Sequence, residues 1–294
     1  MSAPAEEVAV PKARPADRPA RTGRSAFIVG VGILLSRFVG LVRQRVFAHF
    51  FGDSWVADAF SAALRLPNIT QNLLGEGTLS ASFIPVYARA LGAGDEERGR
   101  AFARAALGLL TTAVIAVSAV GVLAAPLLTH LLMPGFQGAK LALAVHLVRL
   151  FFPMTGLLAL SAWCLGVLNS HRRFFLPYAA PVIWSLSQIG AVLLGSRHAE
   201  GAQLAVWMGW GALAGGALQL LVQLPASRAL IGSLRPTSAW KTDDVRQATR
   251  ALGPVVAGRG VVQLSALLDT FLASLLGTGA NAALGYVQTL YVLP

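Results

Sequence analysis

Long apolar runs separated by short polar breaks make up most of this chain. Five runs of 21 to 29 residues contain no Asp, Glu, Lys or Arg, and they cover 105–133, 150–170, 174–196, 201–227 and 270–294. A helix of about 20 residues crosses the roughly 30 Å hydrocarbon layer of a membrane. The pattern therefore predicts an all-α polytopic membrane protein.

Two segments that carry charges precede these runs and extend the pattern. The first predicts a helix over about 25–50, and the second returns over 56–90 with interruptions at Pro67, at 75–77 and at Pro85. Such breaks release backbone polar groups that lipid cannot satisfy, so the second segment is expected to face protein or water. Five more spans are predicted at 102–133, 140–170, 174–196, 201–227 and 247–277, and an eighth opens near residue 280.

Composition excludes several other classes of protein. Hydrophobic residues make up 55% of the 294 residues and charged residues only 13%, about half the charged fraction of soluble domains. The single cysteine, Cys164, lies inside an apolar run and excludes a disulfide scaffold. No nucleophile–base pair, metal-ligand cluster or phosphate-binding glycine loop indicates an enzyme, a metal site or a cofactor.

The net charge of +11 is distributed as membrane topology requires. Alternate polar breaks, starting with the N-terminal segment, hold sixteen of the 24 Lys and Arg residues, whereas the intervening breaks hold only Lys140 and Arg197. Basic residues concentrate on the cytoplasmic side of membrane proteins, so the N-terminus is expected in the cytoplasm. No base-reading or base-stacking motif indicates a nucleic-acid partner.

The same pattern divides the chain into regions. We predict a disordered basic cytoplasmic tail over 1–24, a six-helix transmembrane lobe over 25–231, a cytoplasmic loop over 232–246 and the start of a second lobe over 247–294. The spacing from Phe47 to Leu66-Pro67 is echoed between Phe271 and Leu293-Pro294, which indicates a parallel repeat. Because the chain stops inside an uncharged run, we expect it to be truncated.

Nine charged residues lie within or at the edges of the predicted spans. They are Arg37, Arg43, Arg45, Arg65, Arg149 and Arg259, together with the acids Asp58, Glu76 and Asp269. A charge near the bilayer centre costs about 2.5–3.5 kcal/mol, so these residues are expected to line a polar interior path. Arg37 lies about 18 Å along the helix from the basic flank, near the midplane.

Some of these charges have alternative interpretations. Arg43 and Arg45 lie nearer the outer surface, from which long side chains can reach water, and Arg149 is interpreted as an interface anchor. Asp58 and Glu76 either neutralise buried arginines or carry protons or cations. Arginines outnumber acids in the spans, and guanidinium groups bind phosphate in a bidentate manner. The predicted cargo is therefore an amphiphile with an anionic, phosphate-bearing head and a lipid tail.

A series of ordered motifs carries a family resemblance. They include 36–43 (SRFVGLVR), 51–52 (FG), 57–60 (ADAF), 66–68 (LPN), 75–85 (GEGTLSASFIP), 134–136 (PGF), 168–169 (LN), 180–181 (AP), 223–225 (QLP) and 252–254 (LGP). Together they resemble the MviN/MurJ family of lipid II flippases over about 25–294. The resemblance implies the multidrug/oligosaccharidyl-lipid/polysaccharide exporter (MOP) superfamily, in which two six-helix lobes surround a central cavity.

Members of this family move an undecaprenyl-diphosphate-linked peptidoglycan precursor across the bacterial cytoplasmic membrane by alternating access. The resemblance implies that Arg37 and Arg43 bind the substrate head and that Asp58 and Glu76 shape charge and gating. The predicted substrate-binding set is Arg37, Arg43, Asp58 and Arg65, with Glu76 in gating. The lipid-linked precursor and the phospholipid bilayer are the expected partners, together with cell-wall synthesis proteins. Membrane potential and a monovalent cation are both open as the source of coupling.

The chain departs from the family pattern at three places. Gln44 replaces an acid, Gln71-Asn72 stands where an arginine is expected, and Gln288-Thr289 replaces an acid–arginine pair. Arg65, Arg259 and Asp269 are the candidates to compensate for these charges. Besides a flippase, two alternatives stay open: a transport-deficient membrane scaffold or regulator of cell-wall synthesis, and an exporter of another lipid-linked sugar or amphiphile.

Overall fold

The computed structural model describes residues 19–235 and 242–291, and within these ranges the regular structure is entirely helical. The helices are α1 (Pro19–Phe51), α2 (Trp55–Leu74), α3 (Glu76–Gly92), α4 (Glu96–Leu132), α5 (Gly138–Ser170), α6 (Phe175–Gly195), α7 (Gly201–Ile231), α8 (Asp243–Leu275) and α9 (Ala280–Tyr291). The prediction of an all-α chain is confirmed. Three parts of these predictions lie outside the described residues: 1–18 of the expected tail, 236–241 of the predicted loop, and Leu293-Pro294 of the repeat.

Several helices begin earlier than expected, for reasons that lie in their first turns. α1 begins at Pro19 rather than at residue 25, and proline is favoured at the first position of a helix. α8 begins at Asp243 rather than at 247, because Asp243 and Asp244 place two negative charges beside the positive end of the helix dipole. α4 begins at Glu96 after Asp95, whose side chain accepts a hydrogen bond from the Arg98 amide.

The interrupted second segment is broken at one of the three expected positions. Pro67 lies within α2 and Pro85 lies within α3, and the chain bends between them at Gly75. A Cβ atom at Gly75 would collide with the carbonyl oxygen of Gln71, so the bend requires glycine. α2 and α3 together therefore form the second element of the predicted lobe.

Five of the described helices, α4 to α8, are long and apolar enough to cross a membrane. On α4 the side chains of Ile115, Val120, Leu123, Leu127 and Leu131 are all exposed, and Leu123 is 81% exposed. A soluble protein rarely leaves such a continuous apolar stripe in water, whereas lipid covers it at no cost. The chain is therefore a multi-pass membrane protein.

α5 is the central helix of the bundle and packs against α2, α3, α4 and α7. α6 and α7 approach each other closely, because a Cβ atom at Gly211 or Gly215 would press on the backbone of α6. Small residues allow this contact between membrane helices, as they do in other membrane bundles. The α6–α7 pair is thereby closely packed, and α6 also contacts α1.

The connections between helices lie at two ends of the bundle. At one end, which we call the basic end, Arg98 at the start of α4 binds Asp244 at the start of α8. At the other, the opposite end, Lys140 at the start of α5 binds Asp58, and Tyr286 donates a hydrogen bond to the Gly52 carbonyl. Each of these contacts joins segments that the predicted topology places at the same end of the bundle.

Candidate functional site

A polar cavity of about 380 Å³ lies between α1, α2, α7 and α9, and we call it the central cavity. It is lined by Arg37, Gly40, Leu41, Arg43, Gln44, Phe47, Phe60, Ser61, Leu64, Arg65, Asn68, Met208, Gly285, Gln288 and Thr289. Three of the four predicted substrate-binding residues, Arg37, Arg43 and Arg65, therefore meet at one cavity. The helices that carry them cross near this point, which the sequence pattern alone could not establish.

Arg43 is held from two sides by α6. Its Nη1 donates a hydrogen bond to Gln188 Oε1 at 3.3 Å, and its guanidinium carbon lies 4.8 Å from the centre of the Trp184 ring. Trp184 is itself fixed, because its Nε1 donates to the Ala212 carbonyl of α7 at 3.1 Å. Arg43 Nε is buried with no hydrogen-bond partner among the described residues. The side chain is therefore oriented by protein contacts and retains donors for a ligand.

Arg65 faces the same cavity from α2. Its Nη1 donates to Thr270 Oγ1 on α8 at 3.2 Å, whereas its buried Nη2 has no partner within the described ranges. Asp269, the neighbour of Thr270, interacts electrostatically with Arg65. Arg65 thus links the cavity to α8 and keeps one N–H group available.

Arg37 lies further towards the basic end of α1. It lines the central cavity and is exposed, and it has no hydrogen bond or ion pair to any residue of 19–235 or 242–291. An arginine side chain without protein partners can turn its whole fork of donors towards a bound anion. Of the three cavity arginines, Arg37 is the least constrained.

The described lining of the cavity includes three arginines and no acidic residue. Among the described lining residues the remaining polar groups are neutral: Gln44, Ser61, Asn68, Gln288 and Thr289. Gln288 and Thr289, which replace the expected acid–arginine pair, both reach the cavity, whereas Gln71 does not line it. Such a wall favours a ligand with several negative charges, since guanidinium groups remain protonated at any physiological pH.

Asp58 lies away from the cavity arginines. Its carboxylate is 1% exposed and accepts hydrogen bonds from Lys140 Nζ at 2.8 Å, from the Gly279 amide at 2.8 Å and from the Ala282 amide at 2.9 Å. The last two groups are at the N-terminus of α9, so Asp58 caps this helix from α2. The carboxylate therefore ties α2, α5 and α9 together at the opposite end.

The remaining predicted residues are not brought to the cavity wall. Glu76 begins α3, and its side chain is outside the part of the chain that the structure describes. Arg259 and Asp269 are exposed on α8. Within the described residues, no group of three His, Cys, Asp or Glu side chains could hold a metal ion.

Four residues of this region escaped the sequence analysis. Trp184, Gln188 and Thr270 position the cavity arginines, and Lys140 neutralises Asp58. Three of the four are uncharged residues within apolar runs, where nothing in a single sequence distinguishes them from packing residues. Lys140 carried a usable signal, because it is one of only two basic residues in the breaks at that end.

The basic end is closed by a pair of charged residues from α4 and α8. Arg98 Nε and Nη2 each lie 2.7 Å from a carboxylate oxygen of Asp244. The hydrogen bonds from Arg98 lower the pKa of Asp244 from its ordinary value, and the positive charges of Arg98 and Arg89 act in the same direction. This bidentate pair joins the predicted first lobe to the end of the predicted loop at 232–246.

Comparison with known proteins agrees with this architecture. A solved structure described as "Lipid II flippase MurJ, inward closed conformation" superposes with a TM-score of 0.73 at 21% identity, over 91% of this chain and 55% of that one. An inward-facing MATE family transporter of the MOP superfamily superposes with a TM-score of 0.62 at 17% identity, over 86% and 56%. The expected MOP-type fold is thereby confirmed.

Sequence relatives point to one family. The lipid II flippase MurJ of Burkholderia cenocepacia is 32% identical over 92% of this chain and 53% of its own length. The probable lipid II flippase MurJ of Haemophilus influenzae is 31% identical over 89% and 52%. The chain thus spans about half the length of these relatives. The family profile described as "Lipid II flippase MurJ" matches residues 47–294, and the chain belongs to this family.

Proposed function

We propose that this chain binds the head of an undecaprenyl-diphosphate-linked peptidoglycan precursor, lipid II, and takes part in moving it from the inner to the outer leaflet of the bacterial cytoplasmic membrane. The observation that carries the proposal is the meeting of Arg37, Arg43 and Arg65 at one cavity whose other described lining groups are uncharged. A diphosphate supplies the two adjacent anions that such a wall attracts.

The apolar surroundings of the site fit a lipid-linked substrate. Apolar side chains also contribute to the cavity wall and offer contacts to an isoprenoid chain near the head: Leu41, Leu64, Phe47, Phe60 and Met208. A soluble anion gains nothing from these groups, whereas an amphiphile buries apolar area against them. The combination favours a lipid-borne diphosphate over a free phosphate compound.

Transport requires that the cavity change shape. A volume of about 380 Å³ is too small for a disaccharide with a peptide, so the head enters only when the helices separate. The Asp58 cap on α9 and the Arg98–Asp244 pair close opposite ends of the bundle. We assign Asp58, and by family position Glu76, to gating, and alternating access follows if the two ends open in turn.

The proposed orientation places the basic end in the cytoplasm together with the N-terminus. Sixteen basic residues then face the cytoplasm, in agreement with the positive-inside rule. The central arginines come to lie within the electric field of the membrane, where each elementary charge moved is worth about 2.3 kcal/mol per 100 mV. Coupling to the membrane potential, coupling to a monovalent cation and contacts with cell-wall synthesis proteins are further parts of the proposal.

Binding and rescue together test this function. The chain in phosphatidylcholine nanodiscs is expected to bind lipid II, and Arg37→Ala, Arg43→Ala and Arg65→Ala are each expected to weaken binding about tenfold or more. Arg149→Ala, on the exposed side of α5 and outside the cavity, is the matched control. Wild-type binding that the cavity variants leave unchanged contradicts the proposal.

Rescue of cells depleted of their own flippase separates transport from the alternatives. A flippase restores growth, and Arg37→Ala abolishes the rescue at equal expression and membrane insertion. A chain that binds lipid II and inserts without restoring growth favours the scaffold or regulator, for which the neutral Gln288 and Thr289 in the cavity wall are the specific observation. Drug efflux without lipid II binding favours an exporter of another amphiphile.

A further inference from the structure

A second groove of about 780 Å³ adjoins the central cavity and lies between α1, α6 and α9. It is lined by Leu41, Gln44, Arg45, Val46, Ala48, His49, Phe50, Leu193, Tyr286 and Thr289. Leu41, Gln44 and Thr289 line both spaces, so the two are adjacent. We call the second space the α1–α9 groove. It lies further towards the opposite end than the cavity, because all of its α1 residues except Leu41 follow Arg43 in the chain.

Two side chains in this groove can bind an anion. Arg45 and His49 are four residues apart on α1, which places them on one face of the helix. Both are exposed, and Arg45 has no hydrogen bond or ion pair to the rest of the described chain. The ring of His49 contacts Phe50 edge-on with 5.1 Å between centroids, and its nitrogens have no hydrogen-bond partner among the described residues.

The groove decides between two interpretations of Arg45. An arginine near the end of a membrane helix can extend past lipid to water, or it can line a polar path. Arg45 lines a space that shares three lining residues with the arginine cavity, which supports the second interpretation. Leu41, Val46, Phe50 and Leu193 form the rest of this wall, so the groove combines a cationic patch with apolar surface.

We propose that Arg45 and His49 form a second headgroup site, which takes an isoprenoid-linked diphosphate after it leaves the central cavity. The Arg45 guanidinium binds the diphosphate, a ring N–H of His49 donates to it, and the apolar wall contacts the first isoprenoid units. This site rests on the proposed function and adds a second binding position for the substrate on its way to the outer leaflet. Tyr286, bonded to the Gly52 carbonyl, closes the far side of the groove.

Counting bound ligands tests the site directly. The full chain is placed in phosphatidylcholine nanodiscs, and bound farnesyl diphosphate is counted by native mass spectrometry. Wild type is expected to bind two molecules, Arg43→Gln one and Arg45→Gln one, and the Arg43→Gln/Arg45→Gln double variant none. His49→Ala is expected to weaken the second binding event about threefold to tenfold. Arg149→Gln, an exposed arginine on α5, retains both.

Each outcome has a distinct meaning. A single molecule that is lost in Arg43→Gln and kept in Arg45→Gln overturns the groove site and leaves the proposed function intact. A single molecule that is lost only in Arg45→Gln overturns the central site. Equal binding of inorganic diphosphate in the groove contradicts a lipid-borne ligand. Arg45→Lys checks folding, because it retains the charge but not the fork, and it is expected to bind the second molecule with reduced affinity.

Discussion

Lys140 Nζ lies 2.8 Å from Asp58 Oδ2, and this ion pair joins the first turn of α5 to the first turn of α2. The ammonium group also lies 4.1 Å from the centre of the Phe136 ring. The Asp58 carboxylate on α2 also caps α9. Lys140 therefore neutralises a charge that connects α2, α5 and α9. Removal of this ion pair is expected to loosen the opposite end.

Lys140→Met is expected to destabilise the chain by about 3 kcal/mol, because it leaves the buried Asp58 carboxylate without its cation. Chemical unfolding in detergent micelles measures the loss. Lys140→Arg preserves the charge and is the control. The Asp58→Asn/Lys140→Met double variant is expected to lose less than the sum of the two single changes. Additive losses would contradict a direct interaction between the two side chains.

Trp184→Leu and Gln188→Leu are each expected to weaken farnesyl diphosphate binding at the central cavity, since both residues position Arg43 without lining the cavity. The expected loss is about threefold to tenfold for each. The molecule at the α1–α9 groove is expected to be retained in both variants, and this retention separates positioning of Arg43 from general destabilisation. Trp207→Leu, at an exposed tryptophan of α7, is the matched control.

Thr289→Arg is expected to strengthen binding of farnesyl diphosphate at the central cavity about tenfold, because it adds a fourth guanidinium at a position that already faces the site. Gln288→Glu is expected to weaken binding, since it adds a negative charge to the same wall. Titration in nanodiscs measures both. Unchanged affinity in both variants would show that these positions do not meet the ligand.

Asp244→Asn is expected to release the basic end by removing the charge that Arg98 binds. Spin labels placed on α4 and α8 should show a wider distance distribution in this variant than in wild type. Because Arg98 lowers the pKa of Asp244 from 3.8, the ion pair is fully stabilising above pH 3.8 and is lost as the pH falls through the lowered value. Acid should therefore loosen wild type but not Asp244→Asn.

Much of the fold could be predicted from the sequence because hydrophobicity and charge report on the membrane directly. The predicted spans agree with α5 and α6 to within two residues at each end and with α7 to within four. The loop charges placed Lys140 at the same end as the α8–α9 turn, where it contacts Asp58. Helix starts were less accurate, since Asp243 and Asp244 extend a helix by interactions that an apolar pattern does not register.

The candidate site was only partly predictable, because its decisive contacts join distant parts of the chain. Arg43 and Gln188 are 145 positions apart, and Asp58 and the Gly279 amide are 221 apart. The cost of a buried charge shows that such a residue needs a partner but does not say which one. Sequence reasoning therefore grouped Asp58 with the cavity arginines, whereas the amides that bind its carboxylate lie at the start of α9.

The contact between the Arg43 guanidinium and the Trp184 ring links ligand binding to the position of α1. Trp184 is anchored to α7, whereas Arg43 belongs to α1, so any tilt of α1 away from the α6–α7 pair pulls the guanidinium off the indole. The indole ring and Gln188 together hold the Arg43 guanidinium against α6. Under the proposed function, a bound diphosphate competes with this contact, so binding is expected to loosen α1 from α6.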